Sequence, residues 1–278
     1  MVNFIGCDGD YDSSRIVLFG APYDCTSSFR PGSRFAPAAI RTDSWGLELY
    51  SPYQNRALPK ALLHDAGDLE LPFGGPEPAL GLIEDFCMGV LRDGKLPFML
   101  GGEHLVTLGA VRAIVKKYSN LHILHFDAHA DLRDKYLGQS LSHATVMRRC
   151  FDLTGTGRIF QFGIRSGDES EFLFSQNRTV MRRFDLMGLG AVMSSLRGVP
   201  VYVTIDLDVL DPSLFPGTGA PEAGGVSFTE LLSALTSVLR LNVVGADVSE
   251  LSPPYDQSGC STAVACKIIR EMLIALGS

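Results

Sequence analysis

Short apolar runs with strand character alternate along this chain with longer stretches whose apolar residues recur at helical spacing. The runs lie at 15–20, 61–68, 96–100, 121–126, 158–163, 179–181, 201–205 and 242–246. Helical patterns cover about 36–47, 78–93, 104–118, 229–240 and 261–275, with shorter ones after 142, 163 and 181. A strand that is answered by a helix before the next strand predicts repeated βαβ units and a mostly parallel sheet. At 278 residues the chain exceeds the usual single-domain size, but large α/β sheets reach that length as one unit. No Ser/Gly/Pro-rich or single-charge run marks a linker, so residues 1–278 are read as one domain.

In open α/β sheets the ligand crevice lies at the carboxyl ends of the strands. Here those ends are polar in a particular way. The run at 121–126 leads into HFDAHAD at 125–131, with Asp127, His129 and Asp131 at every second position. Side chains two apart in extended chain share a face, which lets the three converge on one small volume. His104 follows the run at 96–100, Asp206 and Asp208 follow 201–205, and Glu250 follows the last run. If they converge, so many acidic groups need a counter-charge, because like charges at close range resist joint ionisation. Even without Glu250, two imidazoles and four aspartates exceed what one tetrahedral zinc takes. They suit two divalent ions, and oxygen-rich coordination with some imidazole favours manganese. Paired ions activate water, a route to hydrolysis without a protein nucleophile.

The remaining composition excludes other classes. A net charge of −7 without a clustered basic face argues against a nucleic-acid partner. The six cysteines show no Cys-x-x-Cys pair or zinc-type spacing, which indicates free thiols in a reducing compartment. The amino terminus lacks a signal-peptide pattern and no apolar run is long enough to span a bilayer, so the expectation is a cytoplasmic protein without membrane contact.

GGEH at 101–104, HFDAHAD at 125–131, TIDLDVLDPSLFPGTGAPEAGG at 204–225 and SELSPPYD at 249–256 together resemble the ureohydrolase family of arginases and agmatinases, and RPGSRFAPAAIR at 30–41 extends the likeness. The resemblance implies an α/β fold, a three-layer α/β/α sandwich with a mostly parallel central sheet. It also implies hydrolysis of a small cationic guanidino substrate to an amine and urea with two Mn2+ ions per chain, in a trimer or hexamer. Carried onto matching positions, it makes His104, Asp127, His129, Asp131, Asp206 and Asp208 the metal ligands. Glu250 becomes the guanidinium-binding carboxylate, a contact of the strong bidentate type. His143 becomes the proton shuttle, Thr218 a neighbour of the guanidino group, and Asp131 a helper in stabilising the tetrahedral intermediate. Glu103 stands where many members have Asp and keeps the charge.

The residues toward the far end of the substrate separate the members. Arg133 stands where arginases commonly have Asn, while SHATVMRR at 142–149 and PPYDQS at 253–258 are more like agmatinases. The expected reaction is therefore agmatine to putrescine and urea, with 4-guanidinobutyrate, aminopropylagmatine, arginine or a formiminoglutamase substrate as alternatives. Arg133 is read either as a surface ion pair with Asp134 or Glu169 or as a reader of a substrate carboxylate. Glu222, if it lines the pocket, attracts a terminal ammonium. His122 and His125 are read as core histidines, and His64, Asp65 and Asp68 as structural.

Overall fold

The computed structural model describes residues 2–278. Eight strands form its sheet: β1 Ile16–Ala21, β2 Leu63–Asp68, β3 Leu96–Gly101, β4 His122–Phe126, β5 Ile159–Ile164, β6 Val180–Arg183, β7 Pro200–Asp206 and β8 Asn242–Ser249. All register pairs in it are parallel, and the order is β2-β1-β3-β8-β7-β4-β5-β6. Parallel neighbours need long crossovers. These are supplied by α1 Ala36–Ser44, α2 Pro76–Arg92, α3 Thr107–Lys117, α4 Val146–Thr154, α5 Glu169–Ser175, α6 Leu189–Ser195 and α7 Phe228–Val238, with α8 Cys260–Leu276 closing the chain.

Strand alternation sorts the core into two layers. Leu18, Phe98, Leu124, Val203 and Val248 face one side, where they pack with Ile40 of α1, Leu235 of α7 and Ile269 of α8. Phe19, Met99, Ile123 and Tyr202 face the other, against Ile83 of α2, Val111 of α3 and Cys150 of α4. Helices thus cover both faces, giving the three-layer α/β/α sandwich. The helix starts are locally encoded: Pro76 supplies a first-turn proline to α2, and Ser227 and Glu230 form a capping box on α7.

The structure shifts several expected boundaries. The helix expected to reach about residue 47 ends at Ser44. A two-strand hairpin, Tyr50–Ser51 with Arg56–Ala57, was too short to leave a periodic signal. Strand β8 runs three residues past the apolar stretch, through Asp247 to Ser249, because hydrogen bonding to β7 continues to Asp206.

Strands β3, β8, β7 and β4 are neighbours at the centre of the sheet. Their carboxyl ends are the ones that carry His104, Glu250, Asp206 with Asp208, and Asp127 with its partners.

Candidate metal centre

The six expected ligands meet. His104 sits in a short 3-10 turn after β3, and its Nδ1 lies 3.1 Å from Asp127 Oδ2, 3.0 Å from Asp131 Oδ2 and 3.7 Å from Asp206 Oδ2. His129 Nδ1 lies 2.9 Å from Asp208 Oδ2 and 3.6 Å from Asp127 Oδ1. Asp127 therefore turns one oxygen toward each imidazole and joins two lobes of ligands. The backbone route differs from simple strand alternation: β4 ends at Phe126, and Asp131 adopts a left-handed φ of 53°. That conformation costs a non-glycine residue about 1–2 kcal/mol. Asp206 and Asp208 are set by a local turn in which the Asp208 N–H donates to Asp206 Oδ1 at 2.9 Å.

The donor set fits divalent cations. All six groups are buried apart from half-buried His129, and among the described residues no Lys or Arg pairs with the four aspartates. Burial and the nearby Asp127 charge push the Asp131 carboxyl up to about 7. Burial, Asp208 and Asp127 raise Asp206 well above the carboxylate range. Asp127 instead is held well below it: burial opposes its ionisation, but His125, His104 and His129 outweigh that. Burial disfavours imidazolium at His104, yet contact with Asp127 and Asp131 drives its pKa well up. Protons are thus recruited to a place that two dications would neutralise. Ligand atoms of His104, Asp127 and Asp131 lie within 4.8 Å of one another, as do those of Asp127, His129 and Asp208.

A row of polar side chains lies behind the ligands. Gln161, His125, Thr204 and Asp247 are register neighbours across β5, β4, β7 and β8. His104 Nε2 is 3.0 Å from Thr204 Oγ1, whose hydroxyl donates to Asp247 Oδ1 at 2.7 Å. Asp247 Oδ2 accepts from Tyr202 and Thr107 at 2.5 and 2.9 Å. With Nδ1 turned to the aspartates and Nε2 to a hydroxyl, His104 is oriented as a metal-ligating histidine is, its second nitrogen held by an acceptor. His125, expected to be a core histidine, is buried, but its Nε2 is 2.7 Å from Asp127 Oδ2 and its Nδ1 is 3.1 Å from Gln161. It extends the ligand spacing one step back, at 125, 127, 129 and 131, which was the available signal. His122 is structural, bonded to the Asn120 carbonyl and stacked on Phe160. Asp65 and Asp68 are ion-paired with Arg41 at the sheet edge, and His64 bonds the Gly9 carbonyl.

His104, His129, Asp131, Asp206 and Asp208 form part of the wall of a cleft of about 300 Å³. Glu250 and His143 line it, as do Arg133, Tyr136, Arg30 and Glu171. Glu250 also has a left-handed φ, 62°, and its Oε1 accepts the His104 backbone N–H at 2.7 Å. Burial and then Glu103 push its carboxyl up to about 8, a further mark of a cation-binding wall. Arg133 pairs with Glu171 at 3.3 Å and Asp168 at 3.5 Å, where Asp134 or Glu169 was expected. Asp134 is drawn off by Arg149, and the start of α5 brings Asp168 and Glu171 to Arg133 instead. Thr218 and Glu222 are absent from the wall. Thr218 is buried behind it with its carbonyl accepting from Arg30 at 2.7 Å, and the Glu222 carbonyl is held by Arg165 at 2.8 Å. Sequence reasoning missed Arg30 and Glu171 as wall residues, since distant segments bring them there.

Residues 14–275 match the arginase family model. The agmatinase of Bacillus anthracis is 46% identical over 275 residues, 98% of this chain and 95% of that protein. The chain belongs to the arginase family. It is accordingly an enzyme, a hydrolase, and family membership agrees with a two-metal reading of the shared Asp127. The crystal structure of the agmatine ureohydrolase of Thermoplasma volcanium aligns with a TM-score of 0.91 at 32% identity, covering 100% of this chain and 94% of that one. A mitochondrial guanidino acid hydrolase of Homo sapiens is 35% identical, over 94% of this chain and 78% of that protein. No described helix is long and apolar enough to cross a membrane.

Proposed function

We propose that this arginase-family chain is one catalytic unit that hydrolyses agmatine to putrescine and urea with two manganese ions, held by His104, Asp127, His129, Asp131, Asp206 and Asp208. The observation that carries the reading is the Asp127 carboxylate shared between two histidine–aspartate lobes, with Glu250 on the wall of the same cleft. Bound there, the ions would supply Lewis acidity and an activated water.

The chain's own residues do the rest. Glu250 accepts the His104 N–H on Oε1 and keeps a second lone pair there, together with Oε2, for a bidentate contact with the planar guanidinium. Asp131 also lines the cleft and sets carboxylate charge beside the cationic carbon. Water adds to that carbon, the bond to the alkyl nitrogen breaks, and the leaving amine must gain a proton. Burial, reinforced by His129, pushes His143 down to about 4, so at neutral pH it is unprotonated and accepts a proton before passing one on.

Agmatine is preferred over a guanidino acid because Arg133, the cation expected to meet a carboxylate, is already matched by Glu171 and Asp168. A second reading, a guanidino acid such as 4-guanidinobutyrate, draws on Arg30, which lines the cleft and, among the described residues, hydrogen-bonds through its guanidinium only to the carbonyls of Thr218 and Gly219. Urea release from agmatine, arginine, 4-guanidinobutyrate and aminopropylagmatine, ranked by kcat/KM with added manganese, decides between them. Highest efficiency on 4-guanidinobutyrate supports the second reading, and no urea from any of the four refutes both. We further assign the enzyme to the cytoplasm as a trimer or hexamer, an assembly that light scattering would measure.

A further inference from the structure

The loop after β1 carries a hydroxyl with two neighbours that matter. Thr26 donates its O–H to Glu103 Oε1 at 2.6 Å and its backbone N–H to Glu103 Oε2 at 2.9 Å, and Ser27 adds its hydroxyl to Oε2 at 3.3 Å. Glu103 is fully buried, and its backbone N–H donates to the Tyr23 carbonyl at 2.8 Å. It immediately precedes His104, so the residue that pins this loop belongs to the same turn as a metal ligand.

The loop in turn pins His143. Thr26 Oγ1 accepts the His143 backbone N–H at 3.1 Å and lies 3.5 Å from His143 Nδ1. Ser28 Oγ lies 3.3 Å from Nε2, and Tyr136 meets the imidazole edge-on at 5.7 Å. A hydroxyl has one proton to give and two lone pairs to fill. With its proton given to a carboxylate that gathers three donors, Thr26 Oγ1 has both lone pairs for His143: one for the backbone N–H and one for an Nδ1–H.

We propose that Thr26, oriented by Glu103, is a positioning residue for His143: it holds the Nδ1–H tautomer and turns the Nε2 lone pair to the cleft, where Ser28 Oγ lies 3.3 Å away. The assignment rests on the proposed hydrolase reading for its purpose, since that is the reading in which His143 moves a proton. Its geometry is independent of that reading. Thr26 is not a catalytic residue, because it acts only through the imidazole. The turn at 101–104 then registers three parts together: His104 at the ions, Glu250 through the His104 N–H, and His143 through Glu103 and Thr26.

The test reads the tautomer directly. Two-bond 1H–15N correlation on full-length, 15N-histidine-labelled protein, loaded with diamagnetic zinc, reports which nitrogen of His143 is protonated, with assignment by His143→Asn. The expected wild-type result is Nδ1–H, lost in Thr26→Val and kept in Thr26→Ser. An Nε2–H tautomer in the wild type, or an unchanged Nδ1–H in Thr26→Val, overturns the proposal. In turnover, Thr26→Val should lower kcat by roughly 10- to 100-fold with KM and bound metal little changed, in line with loss of a placed proton-transfer group. Thr26→Ser should recover most of it, and an unchanged kcat in Thr26→Val also overturns the proposal. If Thr26→Val does not fold, the wild-type tautomer still decides. If none of the guanidino compounds is hydrolysed, the function reading fails while the tautomer measurement stands on its own.

Discussion

Replacing Asp247 by Asn tests whether the polar row behind the ligands governs metal affinity. Among the described residues Asp247 makes no side-chain hydrogen bond to a candidate ligand: it holds Thr204 at 2.7 Å, and Thr204 holds His104 Nε2 at 3.0 Å. Asn keeps the volume but exchanges one acceptor oxygen for an NH2 donor. Its single oxygen would remain where two hydroxyls already converge, those of Tyr202 and Thr107. The NH2 group then faces Thr204, which loses its acceptor and no longer holds His104 in place. A buried hydroxyl left without its partner costs about 1–3 kcal/mol. Loss of such a supporting contact typically weakens metal affinity ~10- to 100-fold, or about 1.4–2.8 kcal/mol. The two magnitudes agree, so most of the cost should appear in ion binding. Competition with a calibrated chelator should show this weakening at the ion held with His104 and little change at the ion held with His129. Unchanged affinity at both positions, or equal weakening of both, would refute the relay through Thr204.

Other perturbations address the turn, the segment leading into α8 and the cleft wall. Gly102→Ala places a Cβ 2.0 Å from the Tyr23 carbonyl oxygen and 2.7 Å from its nitrogen, both backbone atoms. It should cost about 1–3 kcal/mol and several degrees in Tm, and an unchanged melting curve would contradict the packing of that turn. Asp256 accepts from the Ser258 and Ser261 N–H groups at 3.0 and 2.7 Å at the start of α8, so Asp256→Ala should cost about 1 kcal/mol by thermal denaturation. Hydrogen bonds from Ser258 and Ser261 lower its carboxyl from 3.8 to about 2. Its contribution is therefore complete above about pH 4 and lost as pH falls through 2, and Asp256→Ala should flatten this acid limb. Arg133→Ala frees Glu171 and should lower KM for agmatine relative to 4-guanidinobutyrate by roughly 2- to 5-fold, the effect of one partly screened charge. A selective loss of efficiency on 4-guanidinobutyrate would instead identify Arg133 as a carboxylate reader.

The strands were legible because each is a local apolar run, and the candidate ligands stood out because they follow those runs at every second position. Strand order placed β3, β8, β7 and β4 side by side, which is what turned separate polar ends into one cluster. The supporting row was not legible. Thr204 and Asp247 look like ordinary strand residues until β7 and β8 are in register with β4. The loop at 211–225 misled for a related reason. Asp211 accepts the Gly224 and Gly225 N–H groups at 2.8 and 3.0 Å, and Arg165 holds the Glu222 carbonyl, a path fixed by contacts far apart in sequence. Thr26 carried no signal of its own, since its importance depends on meeting both Glu103 and His143 across the fold.

The crowding of four aspartates has a consequence beyond turnover. Burial and repulsion among the aspartates raise the carboxyls of Asp131 and Asp206, and ions bound there as proposed would relieve that crowding and stabilise the native fold by mass action, about 2.7 kcal/mol at a concentration 100 times Kd. A difference of that size changes how often the chain opens to proteases. With ions bound as proposed, the supply of divalent cations would set how long each molecule resists proteolysis, and limited digestion with and without added manganese should show slower cleavage of the loaded chain.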